Sequence, residues 1–165
     1  MRAVDHSAIA IARGRAQKRN PARLRFEERD VLDALRATAS SSVDVVYSHG
    51  LYMMLPDNEV DAIARGVFRV LRPGGLHLFA VRSTTDPMFG QGQEVAPDVW
   101  VRPPRPEPIH FYRKESLDRF TRAGFIRVEE ELAADLALWY VCDRRPAIGA
   151  PGPEGKGFSD PRNLS

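Results

Sequence analysis

Two apolar runs in the middle of the chain predict strands. The first, Val43–Val46, is β-branched at three of its four positions, which is typical of a strand buried on both faces. It gives way to polar residues at Ser48–Gly50. The second run, Leu76–Val81, follows the turn-forming sequence Pro73–Gly75.

The segment between these strands has the periodicity of an amphipathic helix. It opens at Pro56, with Asp57 or Asn58 as the N-cap, and Pro73 stops it. Its apolar positions form one stripe: Val60, Ile63, Ala64, Val67, Val70 and Leu71. Strand, helix and strand make a βαβ unit, which belongs to an open parallel sheet whose ligands bind at the carboxyl ends of the strands.

Weaker patterns predict the elements on either side of this unit. Before it, we expect a helix over 8–18, a short strand at 24–26 and a short helical or irregular segment over 32–39. After it, Lys114–Ala123 has helical spacing, with Gly124 as the C-cap. The apolar runs 125–132 and 136–143 predict a closing β-hairpin.

Two segments lack periodicity. Residues 83–108 contain six prolines and two glycines and leave the carboxyl end of a strand. We therefore expect a lid-like loop at 83–109 that covers the ligand cleft. Within it, Phe89 and Trp100 either form an apolar cover or pin the loop to the surface. Residues 144–165 are rich in proline, glycine and charge, so we expect a disordered tail after a domain at 1–143.

Composition narrows the class of protein. The 165 residues suit one domain with a core, and the formal net charge of +2 is too small to indicate a nucleic-acid-binding surface. Cys142 is the only cysteine, so no internal disulfide can form and a cytoplasmic location is expected. No apolar run approaches the ~20 residues of a membrane span. The four histidines are scattered, which predicts no metal site.

Several segments resemble class I S-adenosylmethionine-dependent methyltransferases. VDVVYSHG (43–50), FRVLRPGG (68–75) and LHLFAVR (76–82) are similar to the family's fourth strand, the end of the next helix and the fifth strand. RSTTDPMFGQGQEV (82–95) and IHFYRKESLDRFTRAGF (109–125) are similar to its small-molecule subgroup of the tellurite-resistance and thiopurine type. The resemblance implies an α/β fold, a Rossmann-like three-layer sandwich whose mostly parallel sheet ends in an antiparallel hairpin.

The resemblance also implies S-adenosyl-L-methionine as the cofactor and assigns acidic residues to it. Asp5, with His6 beside it, matches the position that binds the ribose, since a carboxylate accepts hydrogen bonds from both hydroxyls. Asp30 matches the position that contacts the adenine amino group, with the backbone of Val31 adjacent. Alternatively, both aspartates are ordinary caps of a helix or turn.

The end of the 43–49 strand completes the implied site. Ser48 and His49 are expected at the cofactor, and strand alternation predicts that Tyr47 and His49 share a face opposite to that of Ser48. His49 is either a general base for a thiol, amine or hydroxyl, or a loop residue that touches the methionine part of the cofactor or solvent. The residues expected to border the methyl acceptor are Arg82, Phe89 and Trp100.

One feature of the family has no counterpart in the sequence. The glycine-rich turn after the first strand lets the backbone approach the cofactor, but the first glycine here is Gly14. The sequence therefore predicts an N-terminally incomplete sheet that starts at the family's second strand. Three consequences stay open: the sheet closes up, a second copy or another chain fills the slot, or the fold is marginal.

Three functions fit these observations. The first is direct in-line methyl transfer from S-adenosyl-L-methionine to a small-molecule acceptor. The second is a catalytically inactive methyltransferase-like protein that binds a partner through its incomplete sheet. The third is a nicotinamide-dependent dehydrogenase, which shares the acidic residue after an early strand but does not explain RVLRPGG (69–75).

Overall fold

The computed structural model describes residues 1–17 and 23–147. Within these ranges the elements are β1 (Arg2–Asp5), α1 (Ala8–Gln17), β2 (Arg25–Glu28), α2 (Val31–Arg36), β3 (Val43–His49), α3 (Asp57–Val70), β4 (Leu71–Arg82), β5 (Gln93–Ala96), β6 (Val99–Val101), β7 (Ile109–His110), α4 (Asp118–Arg122), β8 (Ile126–Ala133) and β9 (Leu138–Arg144). Short 3-10 turns occupy Tyr52–Met54 and Glu115–Leu117. The end of the predicted 8–18 helix and the predicted tail from residue 148 lie outside the described residues.

The predicted βαβ unit is confirmed. β3 and β4 pair in parallel, and the apolar stripe of α3 is buried against them. Two details were wrong. Leu71 begins strand β4, opposite Val43, and does not end the helix. The N-cap of α3 is Pro56, which makes no side-chain capping bond, because the carboxylate of Asp57 is held by Arg119.

The sheet is mixed, which corrects the prediction of a mostly parallel one. β1 pairs with β2 in parallel as a separate two-stranded sheet. The larger sheet has the order β3-β4-β9-β8. Its β3–β4 pair is parallel, whereas the β4–β9 and β9–β8 pairs are antiparallel. The predicted closing hairpin, β8–β9, is confirmed, and because it supplies half of this sheet the antiparallel pairings outnumber the parallel one.

The four-stranded sheet has one covered and one open face. His77 and Phe79 of β4 point towards α3 and α4 and are fully buried. On the opposite face, Val45 is 49 % exposed and Tyr47 is 64 % exposed. The predicted third layer is therefore not found over this sheet within the described residues.

β1 and β3 each have one edge without a pairing partner among the described residues. In the described ranges β1 hydrogen-bonds only to β2, and β3 only to β4, so each keeps one unpaired edge. The predicted alternative in which the sheet closes up is therefore wrong, since no strand ladder joins β1 to β3. The two sheets are instead connected through α2, from which the backbone oxygen of Ala34 accepts a bond from Arg2, and which packs against α3.

The predicted irregular loop contains a small sheet of its own. β5, β6 and β7 pair antiparallel in that order, and Pro97 and Asp98, the latter at a φ of 59°, form the turn between β5 and β6. Tyr112, just after β7, donates its backbone N–H to the carbonyl of Arg82 at 2.7 Å. That bond fixes the end of the lid to the carboxyl end of β4.

The core lies between α3, α4 and the covered face of the sheet. Tyr52, Phe79, Phe120 and His77 form an aromatic cluster with ring centroids 4.2–5.8 Å apart. Within the described residues, no helix is long and apolar enough to cross a membrane.

Candidate active site

Two aspartates lie at the carboxyl ends of adjacent parallel strands. Asp5 ends β1 opposite Glu28 of β2, and Asp30 follows β2 by two residues. The backbone N–H of Arg29 donates to the carbonyl of Asp5 at 3.0 Å, which ties the two strand ends together. The structure thus brings the predicted ribose and adenine residues to one rim of the β1–β2 pair.

Both aspartates also act as caps, the alternative that the sequence left open. Oδ1 of Asp5 accepts the N–H of Ser7 at 2.7 Å, and Oδ1 of Asp30 accepts the N–H groups of Leu32 and Asp33 at 2.8 and 3.2 Å. Asp30 is the N-cap of α2. In both residues Oδ2 accepts no hydrogen bond from the described part of the chain, so capping leaves one oxygen for a ligand.

The neighbouring predicted residues differ in exposure. The side chain of His6 is 88 % exposed, and its Nδ1 lies 3.9 Å from Oδ1 of Asp5. Val31 is the first residue of α2 and packs partly against the core. His6 is thus open to a ligand through its side chain, whereas Val31 can offer its backbone.

The rim of β3 follows the predicted alternation. Tyr47 and His49 lie on the open face, opposite Leu78 and Ala80, and Ser48 lies on the covered face opposite Phe79. Oγ of Ser48 is buried and has no hydrogen-bond partner among the described residues. The hydroxyl of the buried Tyr52 lies close to it on the covered face, and a ligand at the carboxyl end of the strand would complete its bonding. The structure brings Ser48 and His49 together on β3, on a different sheet from Asp5 and Asp30.

The three residues predicted to border the methyl acceptor contact other residues of the 82–111 segment in this structure. Arg82 forms an ion pair with the buried Asp86. Phe89 packs on Trp100 and on the buried Phe111, with ring centroids 5.8 and 5.5 Å apart. This packing supports the alternative in which Phe89 and Trp100 pin the loop. Nε of Arg82 and Nε1 of Trp100 are buried donors without a partner in the described chain.

A cavity of about 750 Å³, the lid cavity, lies between the Tyr52–Met54 turn, the β5–β6 hairpin and α4. Its lining is mainly apolar and includes Met53, Met54, Leu55, Val95, Pro97 and Val99. Sequence reasoning missed it, because its walls come from segments that are far apart in the chain. Its volume lies in the range of small-molecule sites.

One cluster of charged and titratable groups lines the lid cavity. Nδ1 of His110 is 3.5 Å from Oδ1 of Asp57, and the same carboxylate accepts a 2.6 Å hydrogen bond from Arg119. Nε of Arg119 donates to Asp61 at 3.1 Å. The ring of His110 stacks on Tyr112 with centroids 4.5 Å apart. Arg119 and Tyr112 therefore hold Asp57 and His110 in place.

Electrostatics set the protonation states in this cluster. The Arg119 hydrogen bond lowers the pKa of Asp57, so its carboxylate is ionised at neutral pH. Burial lowers the pKa of His110 below its ordinary 6.5, although Asp57 acts in the opposite direction. At pH 7 His110 is therefore neutral, and the adjacent carboxylate favours the tautomer with its proton on Nδ1. Nε2 then carries a free lone pair.

A second buried histidine, His77, belongs to the core. His77 is fully buried, and its Nε2 lies 2.8 Å from the hydroxyl of Tyr52. Burial lowers the pKa of His77 to about 3. Among the described residues, no group of three His, Cys, Asp or Glu side chains could hold a metal ion.

Comparison with known proteins identifies the fold. Residues 2–75 match the family model of a methyltransferase domain. An S-adenosylmethionine-dependent methyltransferase from Mesorhizobium loti is similar with 19 % identity and a TM-score of 0.67, over 87 % of this chain and 79 % of that one. One from Methanosarcina mazei has 15 % identity and a TM-score of 0.69, over 88 % and 82 %. The chain has the fold of class I methyltransferases.

A third similar methyltransferase structure holds ligands. The Burkholderia thailandensis 1,6-didemethyltoxoflavin-N1-methyltransferase, with bound 1,6-didemethyltoxoflavin and S-adenosylhomocysteine, has 15 % identity and a TM-score of 0.64, over 88 % of this chain and 60 % of that one. No curated protein sequence matches the chain. The predicted methyltransferase resemblance is confirmed at the level of the fold.

Within the methyltransferase fold, the two rims described above are the carboxyl ends of parallel strands, where open α/β sheets bind ligands. The lid cavity adjoins this edge. Met53, which lines the cavity, has its methyl carbon 3.1 Å from the position that a Cβ on Gly50 would take, directly after β3. The lid cavity and the two strand-end rims are therefore neighbours at one edge of the fold.

Proposed function

We propose that this protein transfers a methyl group from S-adenosyl-L-methionine directly to a small-molecule acceptor. The observation that carries the proposal is the pair of aspartates at the ends of β1 and β2. Each uses one carboxylate oxygen as a cap and leaves the other uncommitted. Two such oxygens at the ligand-binding edge of a methyltransferase fold suit a nucleoside with two hydroxyls and an exocyclic amine.

The residues on this edge would divide the cofactor between them. Asp5, with His6 beside it, would accept hydrogen bonds from the ribose hydroxyls, while Asp30 and the backbone of Val31 would meet the adenine. Ser48, whose buried hydroxyl lacks a partner in the described chain, and His49 would meet the methionine end. The bound cofactor supplies an electrophilic methyl group on a sulfonium sulfur. The chain's contribution is to hold and align it.

The role of His49 stays a prediction. It lies exposed on the open face of β3, and none of the described carboxylates pairs with it. That position suits contact with the methionine end of the cofactor. If His49 is the general base, His49→Gln should lower the methylation rate without changing the affinity for S-adenosylhomocysteine; a loss of affinity would instead assign it to the cofactor.

Titration calorimetry with S-adenosylhomocysteine tests the proposal. Asp5→Asn and Asp30→Asn keep the capping oxygen but replace the second oxygen by a donor that cannot accept from a hydroxyl. Hydrogen bonds to a charged group contribute about 1.5–3 kcal/mol, so each variant should bind at least about 10-fold more weakly than the wild type. Asp33→Asn, in the first turn of α2, is the matched control and should bind as the wild type does. Equal affinity in all four proteins would contradict the proposal.

The alternative function, an inactive binding protein, rests on the open sheet face and the unpaired edge of β3. One similar structure, from Haloferax volcanii, is a putative methyltransferase in complex with the Trm112 methyltransferase activator. A second chain on this face is compatible with methyl transfer and does not require inactivity. A folded protein without affinity for S-adenosylhomocysteine would favour the inactive role.

A further inference from the structure

The lid cavity stands beside the proposed cofactor edge. Tyr112 is bonded to the carbonyl of Arg82 at the end of β4, and His110 lies two residues before it. On the other side, Met53 packs over Gly50 at the end of β3. A molecule in the cavity would thus lie next to the carboxyl ends of the parallel strands β3 and β4.

One titratable pair faces this space. The side chain of His110 is only 11 % exposed, and its Nδ1 is 3.5 Å from the carboxylate of Asp57. Arg119 donates a 2.6 Å hydrogen bond to the same carboxylate. None of these three residues belongs to the cofactor edge. The fold alone does not require a histidine and a carboxylate side by side on the wall of an apolar cavity.

Resting on the proposed function, we propose that the lid cavity binds the methyl acceptor and that Nε2 of His110 removes the acceptor's proton. Asp57 is then a positioning residue, which fixes the imidazole through Nδ1. Arg119 orients Asp57. Residues Val95, Pro97 and Val99 of the β5–β6 hairpin form the apolar wall that covers the acceptor.

The cavity specifies the acceptor's class. Its volume of about 750 Å³ and its methionine, proline and valine lining suit a largely apolar small molecule. The single histidine with a free lone pair suits one protic nucleophile, a thiol, phenol or amine that is un-ionised at neutral pH. Asp57 and Asp61 both pair with Arg119, whereas Arg122, an exposed arginine that also lines the cavity, makes no ion pair within the described residues and can meet an acidic group at the cavity mouth.

The proton and electrons balance in this scheme. The acceptor's S–H proton passes to Nε2 of His110, and the freed sulfur lone pair forms the bond to the methyl carbon. The electrons of the old carbon–sulfonium bond stay with the departing sulfur, which becomes a neutral thioether. His110 returns its proton to solvent.

Binding is measured first, without methyl transfer. The probe is 2-phenylethanethiol, titrated into the protein alone and into the protein saturated with S-adenosylhomocysteine. Ala96→Trp places a large ring in the cavity wall and should abolish probe binding while leaving S-adenosylhomocysteine binding unchanged. Val128→Trp, which places the same ring at an exposed position of β8 outside the cavity lining, should bind both as the wild type does. Equal probe binding by wild type and Ala96→Trp, or no binding by the wild type, would overturn the assignment of the cavity.

Chemistry is measured with two probes of different acidity. 4-Nitrothiophenol is already ionised at neutral pH and needs no base, whereas 2-phenylethanethiol does. His110→Gln should slow methylation of 2-phenylethanethiol by about 100-fold or more and that of 4-nitrothiophenol by no more than about 3-fold. Asp57→Asn should show the same split to a smaller degree. Equal losses for both probes would mean that His110 is only structural.

The pH profile gives a second readout. In the wild type the rate with 2-phenylethanethiol should rise as pH increases through the pKa of His110, since only the neutral imidazole accepts a proton. The charged and titratable groups facing His110 are Asp57, Asp98, Arg119 and Tyr112. This rise should vanish in His110→Gln, and its persistence there would exclude His110 as the base. Failure to bind S-adenosylhomocysteine removes the proposed function, while the cavity assignment is judged by the probe titration of the protein alone.

Discussion

Replacing His77 and Tyr52 together should remove much of the protein's loss of stability between pH 7 and pH 5. His77 is fully buried and neutral in the folded protein, where burial lowers its pKa from 6.5 to about 3. In the unfolded chain the same imidazole takes up a proton near pH 6.5. Between these two values the unfolded state binds more protons, so stability falls as pH falls through this window.

The magnitude follows from the shift. One pKa unit corresponds to about 1.4 kcal/mol, and pH 5 lies 1.5 units below the unfolded pKa and well above the folded one. His77 therefore removes about 2 kcal/mol of unfolding free energy between pH 7 and pH 5. Asp57 and Glu130, whose pKa values lie below the ordinary range for carboxyls, contribute mainly at lower pH.

The assay is urea unfolding followed by circular dichroism at pH 7 and pH 5. The variant Tyr52→Phe/His77→Leu removes both partners of the 2.8 Å hydrogen bond, so no buried polar group of that pair is left alone. It should lose about 2 kcal/mol less than the wild type between the two pH values. His6→Gln, which removes an exposed histidine, is the control and should follow the wild type. Equal losses in wild type and double variant would refute a buried neutral His77.

Three further predictions concern stability and assembly. Arg127→Met should cost about 3–5 kcal/mol in urea unfolding, because it strands the fully buried carboxylate of Asp143; Arg127→Met/Asp143→Leu should recover most of that loss, and no recovery would contradict the pairing. Asp30→Ala should lower the unfolding free energy by about 1 kcal/mol through loss of the α2 N-cap, whereas Asp30→Asn should not; equal stability of the two variants would argue against capping. If a second copy covers the open face, sedimentation should show a dimer that Val45→Lys/Tyr47→Lys dissociates, and a wild-type monomer would rule this out.

Local periodicity was enough to predict the centre of the fold. The α3 stripe and the β3–β4 pair follow from repeats within about 14 residues, and every position of the α3 stripe is buried as expected. The prediction that 43–46 is buried on both faces was wrong, since Val45 is 49 % exposed on the open face. Asp57 shows where local rules end. Its place at the start of α3 predicts a cap, but Arg119, 62 residues later, holds its carboxylate. A distant partner outweighed the local one.

The candidate site divides in the same way. The residues of the cofactor edge were predictable because each lies at, or within two residues of, the carboxyl end of a strand: Asp5, Asp30, Ser48 and His49. The lid cavity was not, since His110 and Asp57 are 53 residues apart and meet only through the β7 pairing. The β5–β6 hairpin lies among prolines, which indicate a loop, and β7, the third strand of the same small sheet, has only two residues.

The most direct test of the account is a crystal structure of the protein with S-adenosylhomocysteine. The account predicts the ribose hydroxyls within hydrogen-bond distance of Oδ2 of Asp5, the adenine beside Asp30 and Val31, and the homocysteine end at Ser48 and His49. The lid cavity should stay free for an acceptor. S-adenosylhomocysteine bound inside the lid cavity, or on the open face away from Asp5, would contradict the account.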